Sequence, residues 1–234
     1  MAETEFGAVG EPIEATEVRV RKAARALARN DLGHAYGHVS ARLDDERFLV
    51  CAPRPMGLIR PGEPGTVVPV EGALPDGVLG EVRCHQQIYR RRPDVNGICR
   101  TFLRETMTLS TFRRVPRARH GFGTYFAPGP ALWDDPALLR SDEAAARLAE
   151  CLGESRAVVM RGNGVILTGA TVEESIVMAF YLEEAARTEL AVMAAGGEAE
   201  SVEIPLDEAK ARATSTGRIF ERMWDYLTDG DPEN

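Results

Sequence analysis

The chain has 234 residues, 44% of them hydrophobic, which is enough to close a full core, so one α/β domain with a helical tail is expected. Its net charge of -8 argues against a nucleic-acid surface, and no apolar run approaches the roughly 20 residues that span a bilayer. Cys51, Cys84, Cys99 and Cys151 show neither CxxC nor zinc-like spacing, and no signal-like apolar segment opens the chain, so a reduced, cytoplasmic protein with core or surface thiols is expected.

Residues 1–14 are polar and aperiodic, and are expected to form a mobile arm or a subunit-wrapping segment. Thr16 is the expected cap of a helix reaching about Arg29, with Val18, Ala23, Ala24, Leu27 and Ala28 as its apolar stripe. Next comes HAYGHVSARL. In Gly37-His38-Val39-Ser40 the glycine allows close backbone approach, and a turn of exposed amides makes a concave positive site for an anion. His38 and Ser40 add donors to it; the structural alternative is that His38 only caps its own turn. Strands are expected over 47–52 and 66–70, separated by the Pro/Gly-rich loop PRPMGLIRPGEPG and closed by the turn EGALPDG.

The stretch 80–110, GEVRCHQQIYRRRPDVNGICRTFLRETMTLS, reads as helix, strand, helix. Val82, His85, Ile88 and Tyr89 share one face of a helix over 81–91, which Pro93 stops; 95–99 is a short buried strand and 106–112 the next helix. A long aromatic loop follows, RRVPRARHGFGTYFAPGPALWDD, whose length marks it as functional or subunit-contacting and whose Arg113, Arg114, Arg117 and Arg119 read as a solvated basic run. Ser141 caps a helix over 142–152. Strands over 156–160 and 165–168 flank the tight turn Arg161-Gly162-Asn163-Gly164, and Thr171 caps a long helix over 172–195. After the linker GGEAESVEIP, one last helix over 207–227 carries Phe220, Met223, Trp224 and Leu227, expected to dock on a neighbouring subunit. The alternation of elements gives a layered α/β fold, a central, mostly antiparallel sheet flanked by helices.

These motifs resemble the class II aldolase/adducin family. Glu81 followed by HQQIYRRRPDVNGI matches the segment that carries the family's acid/base glutamate, and GHVSAR with MRGNG looks most like the decarboxylase branch acting on hydroxy-carboxylated aromatic or semialdehyde acids. The resemblance covers about 18–196, dividing the chain into an arm (1–14), the family domain (15–200) and a helical extension (201–234). It implies a homotetramer with fourfold symmetry and pockets between adjacent subunits. It also implies a divalent metal held by a His-x-His pair and a third, later histidine, but at those positions this chain has Arg100, Phe102 and Asn163.

A guanidinium about 4 Å from a dication opposes it by roughly 8 kcal/mol at an effective dielectric near 20. No metal and no other cofactor is therefore expected at the family position. The counter-hypothesis is a relocated iron or zinc site built from His34, His38 and His120. Without the metal, a fixed cation can serve as part of the electron sink, which makes Arg100 and Asn163 the oxyanion holders and Glu81 the proton-transfer group. Gly37, His38 and Ser40 are the candidates for the distal anion, with Phe102, Arg161 and Tyr125 as further substrate contacts. Arg104 lies near by, and His120 joins the catalytic candidates on its resemblance to the branch's loop motif. The expected activity is that of a metal-independent lyase or isomerase acting through an enolate on a small anionic carbonyl compound. Decarboxylation, retro-aldol cleavage, dehydration and tautomerisation share that intermediate. The alternatives are a non-catalytic binding or scaffold relative of the adducin type and an enzyme with the relocated histidine site.

Overall fold

In the computed structural model, whose described residues are 5–234, the short β-branched runs zip into one seven-stranded sheet. The strands are β1 (His38–Arg42), β2 (Arg47–Val50), β3 (Thr66–Pro69), β4 (Gly97–Thr101), β5 (Ala131–Trp133), β6 (Ala157–Met160) and β7 (Val165–Gly169). Their order is β3-β2-β1-β4-β7-β6-β5, antiparallel throughout except for the parallel β5–β6 pair. The helices are α1 (Ile13–Arg29), α2 (Arg83–Arg91), α3 (Arg104–Ser110), α4 (Asp142–Leu152), α5 (Val172–Ala194), α6 (Leu206–Arg212) and α7 (Ile219–Thr228).

Because side chains alternate across a strand, neighbouring residues enter different cores. Val39, Cys99 and Leu167 face the layer of α1, α5 and α7, whereas Ile98, Val158 and Ile166 face α2 and α4. With helices on both faces the central strands are buried end to end. The expected layered architecture is the observed one. Both caps form as read: Ser141 Oγ accepts from Ala144 N at 3.2 Å and Thr171 Oγ1 from Glu174 N at 3.2 Å. Burial holds the thiols of Cys51, Cys84 and Cys99 protonated, pushing them up to about 11, 12 and 12.

Several local expectations are corrected. Helix α1 starts at Ile13 directly after Pro12, whose fixed φ suits a helix entry, so Thr16 is not its cap but a first-turn residue whose hydroxyl donates to Glu11 Oε1 at 3.1 Å. Of the expected mobile arm, residues 1–4 lie outside the described residues. The remainder is tied down: Gly7 N donates to Glu173 Oε1 at 3.3 Å and Gly10 N to Leu43 O at 3.1 Å. The last helix is two, α6 and α7, because Gly217 and Arg218 take φ of 71° and 56° and left-handed residues interrupt the ladder. Phe220, Trp224 and Leu227 pack into this chain's own core instead of a neighbour's. The basic run is solvated only in its first half, where Arg113 and Arg114 are exposed. Arg117 and Arg119 both grip Glu189 of α5 at 2.7 Å, and the Arg119 side chain is 2% exposed. Inside the same loop lies β5, too short and too closely flanked by Gly and Pro to show a period.

The chain's end is clamped onto α1, with Arg25 Nη2 2.6 Å from Asp231 Oδ1 and 2.7 Å from Glu233 Oε2, and Arg21 Nη2 2.7 Å from Glu233 Oε1. Burial works against the Glu233 charge, but hydrogen bonds from Arg21 and Arg25 outweigh it and hold the carboxyl at about 2, below its ordinary 4.5. A depressed carboxyl stabilises the fold above its unfolded value and loses that contribution as pH falls through the folded one. Thermal unfolding should therefore show a Tm falling between about pH 4.5 and 2, and Glu233→Gln should flatten that limb; an unchanged slope in the variant would contradict the assignment.

Candidate active site

One end of the sheet carries an open cavity of about 760 Å³ where β1, the segment before α2, the end of β4 and the β6–β7 turn converge. Register dictates its floor. His38 pairs directly opposite Arg100 across β1 and β4, and both side chains lie on the α2 face. Gly37 precedes the pair with φ of 129°, where a Cβ would sit 2.4 Å from Arg100 O, so only glycine lets the strands close at this point.

Arg100 is the centre of the site. Its Nη2 lies 3.3 Å from Glu81 Oε2 and 3.3 Å from Asn163 Oδ1, its Nη1 donates to Thr101 O at 3.3 Å, and its guanidinium stacks 4.2 Å from the Phe102 ring centroid. All three polar contacts are long, and Nε, buried, has no protein partner. Burial lowers the Arg100 pKa, with Glu81 as the largest opposing influence, yet a guanidinium stays charged in proteins. The result is a desolvated, incompletely paired cation at the floor of a cavity, which favours an anionic ligand. His34 stacks on Phe102 at 5.2 Å and Tyr36 meets it edge-on at 6.3 Å, giving the cavity an aromatic wall. Arg140, exposed on the rim, has no side-chain partner among the described residues, whereas Arg54 is paired with Glu63 at 3.1 Å.

Of the residues singled out from the sequence, Glu81, Arg100, Asn163, Gly37, His38 and Phe102 line this one cavity. Four do not. Ser40, fully buried on the next inward position of β1, bonds His85 and Tyr89. Arg161 turns outward to pair with Asp134. Tyr125 is buried elsewhere, its hydroxyl donating to Thr214 O at 2.7 Å. His120 lies against Glu184 O at 3.3 Å, stacked edge-on with Phe122. Arg104 is on the surface with Asp31. Tyr36, Arg140, Pro53, Leu79 and Leu138 also line it, without a sequence signal, because they reach it from loops with no period.

A divalent metal does not fit the family position. The Arg100 guanidinium itself fills the space between Glu81 and Asn163, Phe102 offers only a ring, and Asn163 only a carbonyl that Arg100 already engages. Nor do the described residues bring three His, Cys, Asp or Glu side chains together anywhere as a ligand set. The relocated trio dissolves for the same reason: His38 turns inward to His85, His34 stacks on the cavity wall, and His120 sits on α5.

The layered sheet carries a glutamate facing a buried cation at its strand ends. The chain belongs to the class II aldolase and adducin family, whose N-terminal domain model matches residues 18–190. The 3,4-dihydroxyphthalate decarboxylase of Terrabacter sp. (strain DBF63) is 26% identical over 213 residues, covering 82% of this chain and 86% of that protein. Human beta-adducin is 26% identical over 138 residues, 58% of this chain but 18% of its own length. Among solved structures, an aldolase II superfamily protein from Pseudomonas syringae superposes with a TM-score of 0.76 at 24% identity over 94% of this chain and 92% of that one. The L-fuculose 1-phosphate aldolase from Glaciozyma antarctica PI12 gives 0.75 at 19% identity, over 97% and 94%. No helix of the described residues is long and apolar enough to cross a membrane.

Proposed function

We propose that the chain is a metal-independent decarboxylase of a small carboxylated, hydroxylated aromatic or enolisable acid. The observation that carries this reading is the desolvated Arg100 guanidinium facing the Glu81 carboxyl across a cavity with an aromatic wall. The relatives named as 3,4-dihydroxyphthalate decarboxylases support the same reaction class.

The aromatic face of Tyr36 and Phe102 receives the substrate ring, and the rim cation Arg140 receives a carboxylate. For an enolisable acid, breaking the bond between carbon and the departing carboxylate releases carbon dioxide and leaves an electron pair that delocalises onto the adjacent carbonyl oxygen; for an aromatic acid the ring carbon takes the proton first, and loss of carbon dioxide then returns the pair through the ring to its oxygen. Arg100 and His38 stabilise that oxyanion. Glu81 hands a solvent-derived proton to that carbon, and the balance is RCO₂⁻ + H⁺ → RH + CO₂. The fourfold assembly implied by the family resemblance belongs to this reading, and sedimentation of the purified chain tests it.

Supplied with 3,4-dihydroxyphthalate, the purified chain is expected to release carbon dioxide, to do so undiminished after exhaustive chelation, and to slow at least roughly 100-fold as Glu81→Gln. Equal rates for wild type and variant would remove Glu81 from the chemistry. Stoichiometric zinc or iron with chelator-sensitive turnover would overturn the metal-independent mechanism, and tight ligand binding without any turnover would turn the reading toward a binding protein.

A further inference from the structure

Behind the cavity floor lies a buried polar chain of which the steps above use only the outermost member, His38. His38 Nδ1 is 3.0 Å from His85 Nε2, His85 Nδ1 is 2.7 Å from Ser40 Oγ, and Ser40 Oγ is 2.9 Å from the Tyr89 hydroxyl. The participants are between 0% and 3% exposed. The outer nitrogen, His38 Nε2, belongs to a cavity-lining residue, is itself buried, and has no partner among protein groups.

The proton count along this chain has one consistent solution. Burial, reinforced by Arg100, holds His85 at about 3, and His38 lies well below its ordinary value through burial and the neighbouring His85 and Arg100, so each ring carries one N–H. Tyr89 has one hydroxyl proton, and Ser40 Oγ is its only hydrogen-bond partner among the described residues. If Tyr89 donates to Ser40, then Ser40 must donate to His85 Nδ1, His85 Nε2–H donates to His38 Nδ1, and the His38 proton is left on Nε2. Running the chain in the opposite direction strands the Tyr89 proton in the interior without an acceptor, at the desolvation cost of an unsatisfied group.

We propose that Tyr89, Ser40 and His85 act as a one-way chain of positioning residues that fixes His38 as its Nε2–H tautomer, so that the cavity presents a neutral N–H donor beside the Arg100 guanidinium. This rests on the proposed reaction only for the identity of the acceptor, a substrate carboxylate or oxyanion. Two donors then flank one oxygen while Glu81 remains the acidic partner, and a ligand bringing an ammonium or amide N–H to that corner meets only hydrogen. The chain holds its direction under turnover: passing its protons forward would leave a tyrosinate at Tyr89, which burial disfavours. His38 is thus a fixed donor and not a proton shuttle.

The tautomers are read directly by nitrogen-15 NMR of histidine-labelled, ligand-free protein, where four histidines can be assigned by single substitutions. The expected spectrum at pH 7 shows Nε2 protonated and Nδ1 bare in both His38 and His85. A proton on His38 Nδ1 would overturn the chain whatever the enzyme's activity. Tyr89→Phe removes the donor that orients Ser40 and is expected to loosen the tautomer preference less than Ser40→Ala does, since His85 Nδ1 remains as acceptor for Ser40. Ser40→Ala removes the directing hydroxyl, so both rings should move toward mixed tautomers, and 3,4-dihydroxyphthalate should bind roughly five- to tenfold more weakly. If Ser40→Ala folds and leaves both tautomers and affinity unchanged, the directing role is wrong. Absence of carbon dioxide release with the tautomers in place would remove only the proposed reaction.

Discussion

Replacing Arg100 with Met is expected to reduce kcat/KM by roughly a thousandfold while leaving the melting temperature unchanged or higher. The two effects have one cause. Arg100 is 2% exposed, its polar contacts sit at 3.3 Å, and its Nε is unpaired, so the fold carries a poorly compensated buried charge. Exchanging such a charge for an apolar side chain of similar length is commonly neutral or stabilising. The same charge is what meets a developing oxyanion at the desolvated floor of the cavity, where a preorganised donor is worth about 3–4 kcal/mol. Arg100→Lys should recover only part of the loss, because an ammonium cannot reproduce the planar fork or its stacking on Phe102. Steady-state kinetics beside thermal melts decide the matter. Activity within threefold of wild type would mean that Arg100 is not the electron sink.

Gly37→Ala is expected to cost roughly 2–4 kcal/mol and to abolish ligand binding in the fraction that folds. The new Cβ would stand 2.4 Å from Arg100 O and 2.8 Å from Met56 Cε, and the backbone at φ 129° is itself unfavourable for an L side chain. Relief requires β1 and β4 to part at the His38–Arg100 pair, which displaces both floor residues together. Gly162→Ala is the control. It also has positive φ, 66°, but its Cβ meets nothing within 4 Å, so about 1 kcal/mol of strain is expected. Urea denaturation of the two variants separates crowding from strain; equal losses would remove the close approach at Gly37 as the reason for that glycine.

How far the sequence foretold these features depended on whether a residue's role was local. The face of α2 was legible because Val82, His85, Ile88 and Tyr89 repeat at helical spacing, and all four are buried. Glu81, Arg100, Phe102 and Asn163 were legible as a group because the motif resemblance assigns each to a site position, and all four line one cavity. Ser40, three residues after Gly37, looks from the sequence like a ligand donor, whereas strand alternation directs it inward to His85. The pairing of His38 with His85, 47 residues apart, left no spacing to detect. Charge runs misled in the same way: Arg117 and Arg119 read as solvated until Glu189 arrives from a helix some 70 residues later.

The cavity floor has a consequence for how the chain comes off the ribosome. Its pieces lie at positions 37–38, 81, 100 and 163, and only the pairings of β1 with β4 and of β4 with β7 draw them into one place. Contacts so distant in sequence form after local helices have condensed. A nascent polypeptide halted before β7 has emerged would hold Glu81 and Arg100 without the turn that presents Asn163, so ligand capture should appear abruptly in synthesis, once residue 169 has cleared the exit tunnel.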